Sequence, residues 1–252
     1  MPNLIAHSIF ARRVWDALEP SLQRRIDASS PAYFVGSFGP DPLFADPLPR
    51  CRNEGIRLHR QPGRVALERL RFALQVKLPC AAEYAAGFFA HYALDRLCHP
   101  ELIAMQARGE ANHLAIEAAF DRELILRKDN NLPDRLHLDW HLCRAAVETY
   151  HTLSVRRFRS DVRLYRAMHR LVMLPAGKNI CAIPGRFNPA WDGVLPYPQP
   201  SEGIRRGMDF LDAQIHDGAS IAAEQLGRYF YAIDHDLPLD PWVDADFAGR
   251  IP

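Results

Sequence analysis

Between residues 91 and 99 the chain reads His91-Tyr92-Ala93-Leu94-Asp95-Arg96-Leu97-Cys98-His99, and farther on comes His113-Leu114-Ala115-Ile116-Glu117. Imidazole and carboxylate thus recur every fourth residue. An α-helix turns about 100° per residue, so side chains four apart share a face and can converge on one metal ion. With 11 His and 30 acidic residues among 252, composition alone yields roughly 1.3 lone His-x-x-x-acidic pairs, so one pair carries no weight. The nine-residue form closed by a second histidine is expected only about 0.06 times. Chance does not account for it together with a second pair on a following helix.

Composition narrows what such a centre could serve. A formal charge of +1, with 48% hydrophobic and 24% charged residues, is ordinary for a globular protein and offers no bulk attraction to nucleic acid or to an anionic membrane. Recognition of phosphate must then be local. Cys51, Cys80, Cys98, Cys143 and Cys181 are scattered, odd in number and without Cys-x-x-Cys spacing, so no disulfide framework is expected. The opening residues from Met1 to His7 show no basic segment followed by an apolar one, and Arg12 and Arg13 interrupt the nearest candidate. No signal peptide is read there, and a cytoplasmic location is expected. Glu83, His91 and Asp95 break the longest apolar stretch, which excludes a transmembrane helix.

The elements that must position these residues read as helices. Leu4, Ile5, Ile9, Val14 and Leu18 follow helical spacing, with Asn3 as N-cap and Pro20 as terminator. Pro40 and Pro42 forbid a helix across Ser37-Phe38-Gly39-Pro40-Asp41-Pro42, so Asp41 lies on a stiff loop. Helical periodicity resumes over Val65–Val76. The Ala- and Leu-rich segment Ala81–Cys98 is apolar all round, as befits a helix buried mid-molecule, and Pro100 predicts that His99 sits at its end. Further helices are predicted over Glu110–Leu126, Leu138–Leu153, Phe158–Leu174 and Ile204–Tyr231. An irregular proline-rich loop spans Pro175 to Pro200 and edges the site, and an acidic tail begins at Asp236. The expected fold is a single all-α domain over 1–252, a multi-helix bundle around a trinuclear zinc cleft. Its metal ligands lie within 2–121, and 122–252 supplies helical completion and the tail.

Taken in order, Pro2-x4-His7, Gly39-Pro40-Asp41-Pro42, Leu58-His59, His91-x3-Asp95-x3-His99 and His113-x3-Glu117 form a series that resembles the bacterial zinc-dependent phospholipase C family, relatives of the single-strand-specific zinc nucleases. The resemblance covers about residues 2–121. It implies an all-α protein with up to three zinc ions. By that likeness, Asp41, His59, His91 and Asp95 bind one zinc, and Asp95 bridges to a second held by His7 and the amino terminus. His99, His113 and Glu117 bind the third. Relatives present the amine of a processed first residue; here removal of Met1 would free the amine of Pro2, five residues before His7.

The chemistry implied is hydrolysis of a phosphodiester by a zinc-activated water, with Asp41 orienting that water or taking its proton. Tyr92, Asn112 and Asp121 are candidates to orient ligands. The substrate expected is a small-molecule or lipid phosphodiester, with peripheral membrane contact and no transmembrane segment. Two alternatives stand beside phospholipase C activity: a single-strand nuclease or nucleotidase, for which alone nucleic acid is a partner, and a non-catalytic scaffold stapled by metal. Phospholipases of that family hold a choline ammonium against aromatic and acidic side chains; here Pro42 rather than an aromatic follows Asp41, and Ile56 lies where an aromatic three residues before His59 would help. Phe38, Phe44 and Trp191 are the apolar groups left to contact substrate. His137 and His141 read as a solvated helix start, and His151, His169, His216 and His235 make weaker cases. Phe88, Phe89, Phe210, Phe230 and Tyr231 read as core, and Arg156, Arg157, Arg159, Arg205 and Arg206 as exposed faces.

Overall fold

The computed structural model describes residues 4–127, 136–150, 153–173 and 200–251. Pro2, Asn3, His151, Cys181, Trp191 and nearly all of the proline-rich loop lie outside the described residues. In chain order the elements are α1 (Leu4–Asp16), α2 (Pro20–Arg25), α3 (Pro31–Gly36), a 3₁₀ turn (Asp41–Ala45), α4 (Pro49–His59), α5 (Gly63–Gln75), α6 (Ala81–Ala107), α7 (His113–Leu126), α8 (Trp140–Val147), α9 (Val155–Met173), α10 (Glu202–Asp234) and a second 3₁₀ turn (Pro241–Asp244). The expected all-α class holds, with no strand among the described residues.

Helix α6 is the axis of the bundle, and α1, α3, α5, α7, α8 and α10 all pack on it. Its sequence dictates this place. Every residue from Tyr84 to Asp95 is buried, and a helix apolar on all sides is stable only when neighbours cover all sides. Phe88 and Phe89 are fully buried there, each contributing about 2–3 kcal/mol of burial. The crossing with α3 is unusually close: a Cβ on Gly87 would lie 2.1 Å from Tyr33 O, and one on Gly36 would lie 2.4 Å from Tyr84 O. Only glycine permits that approach.

Helix ends follow local chemistry. Asn112 caps α7 through Leu114 N, Asp139 caps α8 through Leu142 N, and Ser201 caps α10 through Ile204 N. His137 and His141 flank the Asp139 cap and are exposed, as a solvated helix start requires. Two expectations fail. Tyr231 is 58% exposed rather than core, its ring stacked on His235 at 4.0 Å. Arg157 is no free surface charge, because it donates to Asp46 and lies 3.3 Å from Asp161.

The helix end predicted at His99 is also corrected. Helix α6 runs through Pro100 to Ala107. Proline removes the hydrogen bond to Arg96 O, but the next turns bury Leu102 and Met105, and that packing carries the helix onward.

Candidate metal centre

Continuity of α6 sets the geometry of its three ligand-type residues. Positions four apart advance about 40° around the axis, so His91 and His99 splay by about 80° with Asp95 between them. Each oxygen of Asp95 meets two imidazoles. Oδ2 lies 3.3 Å from His91 Nε2 and 3.8 Å from His59 Nε2, while Oδ1 lies 3.3 Å from His7 Nε2 and 3.5 Å from His99 Nε2. Asp41 Oδ1 closes the first side, 3.2 Å from His59 Nε2 and 4.0 Å from His91 Nε2.

Each partner is delivered by its own local structure. Gly39 turns the chain with φ +53°, and a Cβ there would lie 2.2 Å from the His91 ring, so a glycine both makes the turn and clears the histidine. Asp41 follows at the start of the 3₁₀ turn. His59 ends α4, with its ring between Phe44 and Phe247, at 5.0 and 4.9 Å. Helix α1 carries His7, which stacks on His91 at 4.0 Å. Its start is tied down by Asp121, whose carboxylate accepts from Ile5 N at 3.0 Å and Ala6 N at 2.9 Å and meets His169 Nε2 at 2.9 Å.

Hydrogen bonding on the far side of the rings shows what the near side is for. His91 Nδ1 lies 3.1 Å from Ser37 O, and His59 Nδ1 lies 2.8 Å from Gly55 O. A carbonyl accepts only, so both Nδ1 atoms carry hydrogen, and in the neutral rings both Nε2 atoms point lone pairs at carboxylate oxygens. His91 Nε2 and His7 Nδ1 are buried without a hydrogen-bond partner. Lone pairs facing carboxylates in a buried site repel unless a proton or a metal cation lies among them, and nitrogen with carboxylate oxygen is a donor set that suits zinc. Two triads, His7 with His91 and Asp95, and Asp41 with His59 and His91, place one donor atom each within 4.8 Å of one another.

These groups set one another's ionisation: burial opposes a proton on His91, yet Asp95 and Asp41 raise its pKa. Burial alone would raise the carboxyls of Asp95 and Asp41, yet the imidazoles around Asp95, and positive charge around Asp41 with His59 and His91 included, hold both well below the usual range. Burial and the neighbouring His91 push His7 down. Burial works against the proton on His99, but Asp95 and Glu117 overcome it and raise the ring to about 9. Burial likewise opposes ionisation of Glu117, and positive charge around it, His99 and His113 included, lowers it to about 2.

The third expected trio is more open. His99 Nε2 lies 3.4 Å from Glu117 Oε1, but the His113 ring centroid stands 6.2 Å from that of His99, and its Nδ1 meets Gln106 Oε1 at 2.6 Å. A further group, Asp46, Cys51 and Asp161, is equally tight. Arg157 already supplies its cation, so it joins α9 to the first 3₁₀ turn as an ion-pair network. A cavity of about 850 Å³ runs along α1 past Ile9, Arg12, Phe34 and His216 and touches none of the expected ligands.

Of the three residues expected to orient ligands, Asp121 acts on the backbone just before His7, at Ile5 N and Ala6 N. Asn112 is a helix cap, and the Tyr92 hydroxyl donates to Ala245 O at 2.9 Å. Two supporting residues went unread in the sequence, Tyr165, whose hydroxyl lies 3.4 Å from Asp41 Oδ2, and Phe247, and a third, His169, makes only a weak case there. Tyr165 and His169 belong to a four-residue repeat on α9, Arg157, Asp161, Tyr165 and His169, which was the available signal.

Comparison with curated proteins and with solved structures gives no match. The family model for zinc-dependent phospholipase C matches residues 6–162, a span that contains His7, Asp41, His59, His91, Asp95, His99, His113 and Glu117. On that match, and with a buried imidazole and carboxylate centre suited to zinc, the chain belongs to the zinc-dependent phospholipase C family.

Proposed function

We propose that this protein hydrolyses a phosphodiester, most directly a phospholipid headgroup linkage in phospholipase C fashion, at a cluster of up to three zinc ions. The observation that carries the reading is Asp95, one buried carboxylate with two imidazoles on each oxygen. Such a residue links two adjacent cation positions. Asp41, His59, His91 and Asp95 would hold one zinc, Asp95 and His7 a second together with the amine of Pro2, and His99, His113 and Glu117 a third. Bound zinc supplies Lewis acidity, lowering the pKa of water and offsetting phosphate charge.

The protein's own groups do the rest. Asp41 offers Oδ1 to the imidazole side and Oδ2 to Tyr165. Held far below the usual carboxylate range, it serves to orient the attacking water rather than to store its proton. His59 and His99, with side chains 17% and 18% accessible, and His113 are the partly exposed members of the cluster, so substrate approaches from their side. Phe44, half-buried against His59, is the apolar group beside that approach. Phe38 is buried in the core and is removed from the substrate-contact set. With Pro42 and Ile56 rather than aromatics at these two positions, no preference for a choline headgroup is assigned.

No helix among the described residues is long and apolar enough to cross a membrane, so access to lipid would be peripheral, and a cytoplasmic location is part of this proposal. The test is a hydrolysis screen over phospholipid vesicles, single-stranded oligonucleotides and a chromogenic phosphodiester, before and after chelation. Chelator-sensitive release of phosphorylated headgroup supports the proposal. Cleavage of oligonucleotides alone would transfer the site to nuclease chemistry, and zinc binding without turnover on any substrate would leave a metal-stapled scaffold.

A further inference from the structure

We propose that residues 239–250, which follow α10, form a wall of the metal centre and that Phe247 is a positioning residue for His59 and His91. The inference rests on the metal reading above. It adds a part of the chain that lies beyond both the family match and the span containing every expected ligand.

The segment is fastened at several points to the two helices that carry or border the centre. Arg64 of α5 donates to Asp244 Oδ1 and to Leu239 O. Trp242 stacks on Phe89 at 5.8 Å, and the Arg96 guanidinium lies over its ring at 4.1 Å. Ala245 O accepts from both Gly63 N and the Tyr92 hydroxyl, each at 2.9 Å. Asp246 then closes a tight turn, its Oδ1 accepting from Ala248 N and Arg250 N. Gly249, φ +74°, seats that turn against α6: a Cβ there would lie 2.8 Å from Pro100 Cγ and 3.1 Å from Arg96 O, the carbonyl that proline leaves without its helical donor.

All of this presents one side chain to the histidines. Phe247 is 1% exposed, its ring 4.9 Å from His59 and 6.0 Å from His91, and its N–H donates to His59 O at 3.3 Å. His59 ends a helix and is the most exposed of the four residues on its side of the cluster, and its ring is held by the Gly55 carbonyl, Phe44 and Phe247. Phe247 is the one of these contacts that also reaches His91, and an apolar wall behind the histidines excludes water from the back of the site, strengthening every charge interaction within it.

The experiment measures metal binding rather than turnover. Full-length wild type, Phe247→Ala, Phe247→Leu and Phe230→Ala are stripped, titrated with zinc against a competing chelator, and reloaded with cobalt for visible spectroscopy. Phe230 is equally buried but packs on Tyr229 and Arg25 and touches no expected ligand, so it controls for lost stability. The expected result is zinc affinity about 10–100-fold weaker in Phe247→Ala, as for loss of other groups that support metal ligands, with a changed cobalt spectrum. Phe247→Leu should recover most of the affinity, and Phe230→Ala should keep the wild-type spectrum. If the alanine variant does not fold, the leucine variant must still show the altered spectrum. Wild-type affinity and spectrum in the Phe247 variants, or an equal loss in Phe230→Ala, overturns the wall. Wild-type protein that binds no metal overturns the metal reading beneath it.

Discussion

Tyr165 directs its hydroxyl at Asp41 Oδ2 from 3.4 Å, while Oδ1 of the same carboxylate faces His59 at 3.2 Å. The two oxygens therefore have separate duties, one toward the cation side and one held from behind by a fully buried phenol. That bond decides which way the carboxylate points. Tyr165→Phe removes only the donor, a loss of about 1 kcal/mol, equivalent to roughly a fivefold fall in kcat/KM. Zinc content should stay at the wild-type value in the same preparation. A Tyr165→Phe enzyme with unchanged kinetics would show that Asp41 needs no such support.

Gly39→Ala should be far more damaging. Its Cβ would stand 2.2 Å from the His91 ring on a backbone at φ +53°, so either the ring or the Gly-Pro-Asp turn must move, and His91 and Asp41 separate. We expect loss of at least one zinc per chain by elemental analysis and a Tm lowered by several degrees. Full zinc content in this variant would contradict the packing described.

Asp121 joins three elements: α7, which carries it; the start of α1; and His169 of α9. Asp121→Ala leaves two backbone N–H groups and an imidazole without their acceptor, a cost of about 2–3 kcal/mol and roughly 4–12 °C in Tm for a chain of this size. Because α1 carries His7, the variant should also bind zinc more weakly at the position His7 serves. Calorimetry and a chelator competition check the two effects separately, and a variant as stable as wild type would refute the capping role.

The pH dependence of stability should differ between stripped and zinc-loaded protein. In zinc-stripped protein His99 is raised from 6.5 to about 9 by Asp95 and Glu117 against the effect of burial. A raised value gives stability that is complete below 6.5 and is lost as pH climbs through about 9. Zinc competes with that proton, so its affinity rises over the same interval. Thermal melts should therefore show the stripped protein weakening from about pH 7 to pH 9 while saturating zinc offsets the loss. A stripped protein that gains stability across that interval would contradict this assignment.

Legibility differed between ligands and their supports for a physical reason. His91, Asp95 and His99 were readable because helical periodicity turns a spacing of four into one face, and few sequences place ligand types there by chance. Their outward bonds were not readable. Ser37 O reaches His91 only because Gly36 and Gly87 let α3 and α6 nearly touch, and Phe247 reaches His59 only after the chain has returned from α10. These contacts join residues far apart in sequence, where periodicity says nothing. Pro100 misled because a rule for isolated helices was applied to one whose next turns are buried. Arg157 misled because charge suggests solvent, whereas Asp46 and Asp161 await it inside. The repeat on α9 could have been found by the spacing used for α6, but its mixed residue types carry no ligand pattern.

The central claim is that Asp95 joins two cation positions, and zinc stoichiometry tests it most directly. Wild-type and Asp95→Asn proteins, both shown folded by circular dichroism, are dialysed against metal-free buffer after zinc loading and counted by elemental analysis. Wild type should retain two to three zinc ions per chain and the variant at least one fewer, because the amide cannot serve both sides. Equal counts in the two proteins, or none in the wild type, would contradict the account.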